Sequence, residues 1–141
     1  MDEGGGLIPE PECWELLAST SVGRIALSIG ALPAILPVQY YLDGQTLAVC
    51  LGHRSLPERA LNAVVAFAAD AIDPQTRSGW SVQVQGRSAS ARHPRIDLDC
   101  GWPAAGQVVQ IEPEIITGYR MYLCPFIDSV LAGKMTLDPA S

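Results

Sequence analysis

Lysine is nearly missing from this chain: eight of its nine basic residues are arginine, and the single lysine, Lys134, lies near the C-terminus. A mid-chain Schiff base, lysine general base or lysine phosphate ligand is therefore excluded. Paired cysteines are missing too. Cys13, Cys50, Cys100 and Cys124 are 37, 50 and 24 residues apart, with no CxxC or Cys/His cluster, which speaks against zinc and any other metal centre. His53 and His93 fall in expected loops with no partner motif and read as surface histidines. No apolar run approaches the length of a bilayer span, and Met1-Asp2-Glu3-Gly4-Gly5-Gly6 offers no basic segment leading into an apolar one. The expectation is a cytoplasmic protein with four reduced thiols and no membrane partner. Positive charge is also scarce, at nine basic against fifteen acidic residues and a net charge of −6. Such a chain cannot neutralise many phosphates, so no nucleic-acid partner is expected.

What is present is a globular composition, 48% hydrophobic and 17% charged over 141 residues, enough for one domain with its own core. Residues 1–9 read as a flexible tail. A short helix is expected over 12–18, opened by Pro11, with Trp14, Leu16 and Leu17 on its buried side. From Val22 to Ile29 the alternation puts Ile25, Leu27 and Ile29 on one face of a strand and Arg24, Ala26 and Ser28 on the other. Residues 34–42 continue as a second strand, with Leu36, Val38, Tyr40 and Leu42 sharing a face; Pro37 implies an edge or a bulge there. Asp43-Gly44 predicts a type I′ hairpin turn into a third strand over 46–51.

Residues 56–62 read as a short crossover helix, with Ser55 as N-cap and Glu58 three residues on. The stretch 64–69 is almost wholly apolar and reads as a strand buried on both faces. Strict alternation over 79–87 sets Trp80, Val82 and Val84 inward and Ser81, Gln83 and Gln85 outward. Residues 92–106 form a long connection to a sixth strand over 107–117. Beyond Gly118 the pattern is ambiguous, with a helical turn or two conceivable from Phe126 to Ala132. The fold expected is mainly β, a six-stranded barrel of Greek-key character with a short N-terminal helix and one short crossover helix.

Four stretches, in order, resemble the pyridoxamine 5'-phosphate oxidase-like family of FMN-binding split barrels. They are Val22-Gly23-Arg24-Ile25-Ala26; the strand Pro33-Ala34-Ile35-Leu36-Pro37-Val38-Gln39-Tyr40; Val64-Val65-Ala66-Phe67 leading through Asp70 to Ser78-Gly79-Trp80-Ser81-Val82-Gln83-Val84-Gln85-Gly86-Arg87; and Ile116-Thr117-Gly118-Tyr119-Arg120. The resemblance covers about residues 12–120. It implies a split-barrel domain over 10–120 and a C-terminal extension over 121–141 packed on the domain or its partner. It also implies a C2 homodimer burying more than about 1,000 Å², FMN in the groove between subunits, and redox chemistry on a small substrate. The family register offers Val38, Gln39, Tyr40, Arg54, Ser55, Arg59, Trp80 and Ser81 as cofactor-binding residues. No catalytic residue is singled out.

In the family a lysine follows the third strand and meets the flavin phosphate. Here that position is Ser55, in Gly52-His53-Arg54-Ser55, and a double arginine near the end is reduced to Tyr119-Arg120. Positive charge for a phosphate must then come from Arg54 and Arg59, flanking the crossover helix. Three readings stay open: an FMN oxidoreductase, a member using deazaflavin or haem, and a cofactor-free barrel serving as a binding module. A stacking role for Trp80 beside the flavin ring competes with ordinary core packing, which its place on the apolar face with Val82 and Val84 favours. The pairs Asp97/Asp99 and Glu112/Glu114 suit a cation or acid–base work less well than plain solvated strand faces.

Overall fold

A computed structural model describes residues 5–52, 56–91 and 107–122. In chain order it contains β1 (Gly5–Leu7), α1 (Glu10–Ala18), β2 (Val22–Ile29), β3 (Leu32–Asp43) and β4 (Thr46–Cys50). These are followed by α2 (Glu58–Leu61), β5 (Val64–Asp73), β6 (Ser78–Ala91) and β7 (Val108–Tyr122). Every strand pairing is antiparallel, and β7–β4–β3–β2–β5–β6 closes on itself through β6–β7. The result is a split barrel. Strands β4 and β5 are consecutive in the chain but not neighbours in the ring; the chain crosses β3 and β2 by way of α2, which is the Greek-key connection.

The six expected strands are all present, and β1 is a seventh. Gly5–Leu7, expected within a flexible tail, pairs with Tyr119–Met121 instead. The cause lies in β7, whose far edge is engaged by β4 only over Val108–Ile111, leaving open backbone groups that β1 satisfies further along. Ile8 N–H then donates to Gly118 O at 2.9 Å, and the chain turns into α1 at Pro9. Helix α1 buries Cys13 and Leu17, while Trp14 and Leu16 pack more loosely on the core. Gly118 is required beneath it, since a Cβ there would stand 2.6 Å from Cys13 Sγ.

The turn at Asp43-Gly44 takes a different form from the one expected. Asp43 and Thr46 are paired, so the loop is Gly44-Gln45; Gly44 has φ +65° and Gln45 does not enter the positive-φ region, the signature of type II′. The type I′ signature belongs to the β2–β3 hairpin, where Gly30 (φ 58°) and Ala31 (φ 68°) link the Ile29–Leu32 pair. Pro37 meets its edge expectation: β4 pairs with β3 only from Gln39 onward, so the earlier part of β3 is an edge on that side. Strand β6 runs on to Ala91 and β7 to Tyr122, past the expected limits, because the two pair with each other along their whole length.

The core lies inside the ring. Tyr40, Phe67, Ile25, Leu47, Val49, Val82, Val84 and Ile111 are all fully buried. Tyr40 and Phe67 meet edge to face with centroids 4.7 Å apart, and Tyr40 Oη donates to Leu17 O at 2.6 Å, fastening α1 to the sheet. Strand β5 corrects the expectation of burial on both faces. Val65, Phe67 and Ala69 point inward, while Val64 is 63% exposed and Ala66 and Ala68 are half-covered on the outside. No helix among the described residues is long and apolar enough to cross a membrane.

Candidate functional site

Strand alternation sends every second residue out of the barrel, and the registers align those residues into rows across five strands. One row reads Ile35, Ala26, Ala66, Gln85, Ile115, from β3 through β2, β5 and β6 to β7. The next reads Pro37, Arg24, Ala68, Gln83, Thr117. On either side stand Val64 opposite Arg87, and Asp70, Ser81 and Tyr119 in register. Ile35 is 67% exposed, Ile115 54% and Tyr119 50%, so large apolar side chains sit among amide and guanidinium groups on one continuous outer surface. Large exposed apolar side chains distributed over one sheet face make that face a candidate for association or ligand binding.

Two grooves lie toward the two ends of β6, one beside this surface and the other on the opposite sheet face. At the α2 end, Ser28, Gly30, Ala31, Pro57, Glu58, Arg59, Ala60 and Ala63 line a recess of about 920 Å³. At the other end, Trp80, Arg120, Met121 and Tyr122, with Gly6, Ser78 and Gly79, line one of about 510 Å³. Along β6, Trp80 and Ser88 are eight residues apart, roughly 26 Å at about 3.3 Å per residue. Within one chain the grooves are separate sites.

This arrangement sorts the sequence candidates. Val38 and Tyr40 point into the core; Tyr40 is buried against Phe67, and burial pushes its phenol up to about 12, so neither meets a ligand on the outer face. They follow the alternation that makes β3 half core. Gln39 points outward on the same strand, opposite Val22. Ser81 is half-buried on the outer face between Asp70 and Tyr119. Trp80 faces the other way and divides itself between core packing and its groove. Arg59 is exposed and lines the α2-end groove. The structure therefore brings Gln39 and Ser81 to one face, sets Arg59 at its α2 end, and leaves Trp80 on the opposite face near the other end of β6. Arg54, Ser55, His53, His93, Asp97, Asp99, Cys100, Cys124 and the segment from Phe126 lie outside the described residues.

Helix α2 has four residues, with Pro57 rather than Ser55 in the N-cap position. Proline carries no N–H and a single turn has little dipole, so this helix end is no anion cradle; what it presents is the Arg59 side chain. The capping role expected for Glu58 is also corrected, because its carboxylate is engaged by Ser90 and Asn62 instead. Ser88, buried beside α2, accepts from Ala63 N–H at 3.1 Å and its hydroxyl lies 3.0 Å from Leu61 O and 2.9 Å from Ala63 O. These serines escape sequence reading because their partners are 25 to 32 residues away. The only hint is that Ser88 and Ser90 continue the β6 alternation past Arg87.

Glu112 and Glu114 do not share a regular strand face, since the register jumps between Gln85 and Gly86 leave Glu114 as the extra residue of a bulge. Both line a polar recess with Glu10, Trp14 and Thr46, where Thr46 Oγ1 donates to Glu112 Oε2 at 3.4 Å. Among the described residues no group of three or more His, Cys, Asp or Glu is placed to hold a metal. Cys13 and Cys50 are free, buried thiols; burial, and then the charge of Glu10, pushes Cys13 up, away from thiolate reactivity. Arg120 pairs with Glu12, tying the end of β7 to α1.

Comparison with known proteins agrees with this geometry. Residues 9–99 match the family model of pyridoxamine 5'-phosphate oxidase. The uncharacterized protein Rv0080 of Mycobacterium tuberculosis is 38% identical, the match covering 78% of this chain and 81% of the relative. The structure of an FAD-binding protein from Mycobacterium smegmatis is 27% identical with a TM-score of 0.65, covering 83% of this chain and 98% of that one. An FAD-binding protein from Mesorhizobium loti, 21% identical over 81% of this chain and 94% of its own, shares the fold with a TM-score of 0.64.

Proposed function

The chain belongs to the pyridoxamine 5'-phosphate oxidase family, and from that premise we propose that it is a flavin-binding split barrel, an oxidoreductase that works on a small molecule as a homodimer. The observation that carries this reading is the outer face of β2, β3, β5, β6 and β7. Its exposed Ile35, Ile115 and Tyr119 offer apolar surface to a second copy, and its amides suit the polar rim of a flat heterocycle. A second copy is the natural occupant. A two-fold axis lying across the strands sets the Arg59 end of one protomer against the Ser81 and Tyr119 end of the other.

The residues present fit a flavin phosphate ester. Arg59 offers a guanidinium to the phosphate, Gln83 and Gln85 offer amide donors and acceptors, and Ala66 and Ala68 leave a shallow surface between them. When bound, a flavin supplies reversible hydride and electron transfer; the protein's part is to hold it, orient it and shield it from water. FMN is the proposed cofactor, and the FAD-binding relative from Mycobacterium smegmatis makes FAD the second ligand to test.

The experiment is a fluorescence titration of the purified protein with FMN, FAD and riboflavin, beside its visible absorbance as isolated. Binding of a phosphorylated flavin with micromolar or tighter affinity is expected, with riboflavin weaker by ten- to a hundred-fold for the lost charge-assisted contact of about 1.5–3 kcal/mol. Failure of all three to bind would leave the barrel as a cofactor-free interaction module.

A further inference from the structure

One wall of the α2-end groove carries a carboxylate as well as a guanidinium, since Glu58 stands beside Arg59. A free anion there would oppose any phosphate that Arg59 attracts. The structure shows how it is restrained. Glu58 Oε2 accepts from Ser90 Oγ at 2.8 Å and from Asn62 Nδ2 at 3.3 Å. Asn62 Nδ2 also donates to Glu58 O at 2.8 Å, and Asn62 Oδ1 accepts from Ser90 N–H at 3.3 Å. Asn62, just after the last turn of α2, thus joins both ends of the helix to β6. A four-residue helix has no stability of its own, so its position comes from burial of Ala60 and Leu61 and from these contacts.

We infer that Ser90 and Asn62 are positioning residues which draw the Glu58 carboxylate onto β6 and so leave Arg59 as the charge that faces an anionic ligand, making the groove selective for phosphorylated over unphosphorylated flavin. The inference rests on the flavin reading above and adds to it the source of phosphate selectivity. Two hydrogen bonds to Oε2 hold the Glu58 carboxylate beside Ser90 and Asn62 and limit its freedom to approach a ligand in the groove. Loss of the serine hydroxyl removes the shorter of them and returns a mobile carboxylate to the groove wall.

The test titrates FMN and riboflavin against wild type, Ser90→Ala, Glu58→Gln and the double variant, at low and high salt. Ser90→Ala is expected to weaken FMN by about three- to five-fold, the scale of one exposed charge interaction, while riboflavin is unchanged. The difference should shrink at high salt, as a folding defect would not. The double variant, with no charge to restrain, should regain wild-type FMN affinity. Equal losses for both ligands, an FMN loss that persists in the double variant, or no effect of Ser90→Ala would each overturn the inference. A parallel measurement with inorganic phosphate separates it from the flavin reading. Phosphate should raise the melting temperature of wild type more than that of Ser90→Ala even if neither flavin binds, and the absence of any rise would show that this groove is no anion site.

Discussion

The same strands present two unlike surfaces. On β5, Val65, Phe67 and Ala69 are sealed inside the ring, while Val64, Ala66 and Ala68 stand outside it. On β3, Tyr40 finds both an aromatic neighbour and a carbonyl for its hydroxyl, whereas Ile35, five residues earlier, is left 67% exposed. The inner surface is close-packed: its apolar groups meet one another, Tyr40 and Ser88 find partners, and among the described residues Trp14 Nε1 is the one buried side-chain polar atom left unpaired. The outer surface is equally apolar in places but unfinished. Alternation places both sets, so the difference is one of what covers them, and the described residues supply no cover for the outer set; a ligand or another chain is the proposed one.

The comparison is broken most severely from the inside. Phe67→Ala removes a fully buried ring beside Tyr40 and should lower unfolding free energy by about 3–5 kcal/mol in chemical denaturation. Next comes Tyr40. Its phenol is raised from 10.0 to about 12 by burial, so the folded state holds the proton that the unfolded chain releases. Its contribution is fully present below pH 10 and is lost as pH rises toward about 12, a window worth roughly 2–3 kcal/mol. Tyr40→Phe should abolish that loss, at a cost of about 1 kcal/mol at neutral pH for the bond to Leu17 O. Denaturation series from pH 8 to 11.5 on both proteins would show whether the two curves diverge as described.

Smaller effects sharpen the contrast. Ala31 holds φ 68° in the hairpin that borders the Arg59 groove, a conformation costly for any residue with a Cβ. Ala31→Gly should raise stability by about 1 kcal/mol. On the outside, Val64→Ser should change the unfolding free energy of the separated chain by no more than about 0.5 kcal/mol, against the several lost at Phe67 three residues on. A large loss at Val64 would mean that the outer surface is core in its own right.

Much of the architecture was legible because alternation is a strong signal wherever the two faces differ. Trp80-Ser81-Val82-Gln83-Val84-Gln85 and Leu36 through Leu42 were read with the correct faces inward. The misreading of β5 is informative for the same reason: an outer face built of valine and alanine leaves no polar residue to mark it, so sequence alone could not tell an unfinished surface from a buried one. Strand β1 was illegible because glycines carry no pattern, and its place is set by an open edge of β7 more than a hundred residues away in the chain. Of the candidate residues, the outward placement of Gln39 and Ser81 follows from alternation, but the distance of Arg59 and Trp80 from them does not. Register across strands, rather than spacing along one, decides which of them meet. The Ser88, Ser90, Asn62 and Glu58 contacts were missed because long-range side-chain bonds impose no periodicity.

The central claim, that the unfinished outer face is where two chains and a flavin meet, is tested most directly at Ile35. The aspartate variant Ile35→Asp leaves the core untouched and sets a charge in the exposed apolar row. Light scattering after size exclusion, with FMN titrated into the same samples, should give a flavin-binding dimer for wild type. For the variant it should give a monomer of unchanged folded stability that binds FMN at least ten-fold more weakly. A wild-type monomer, or a variant monomer that binds FMN as tightly as wild type, would contradict the account.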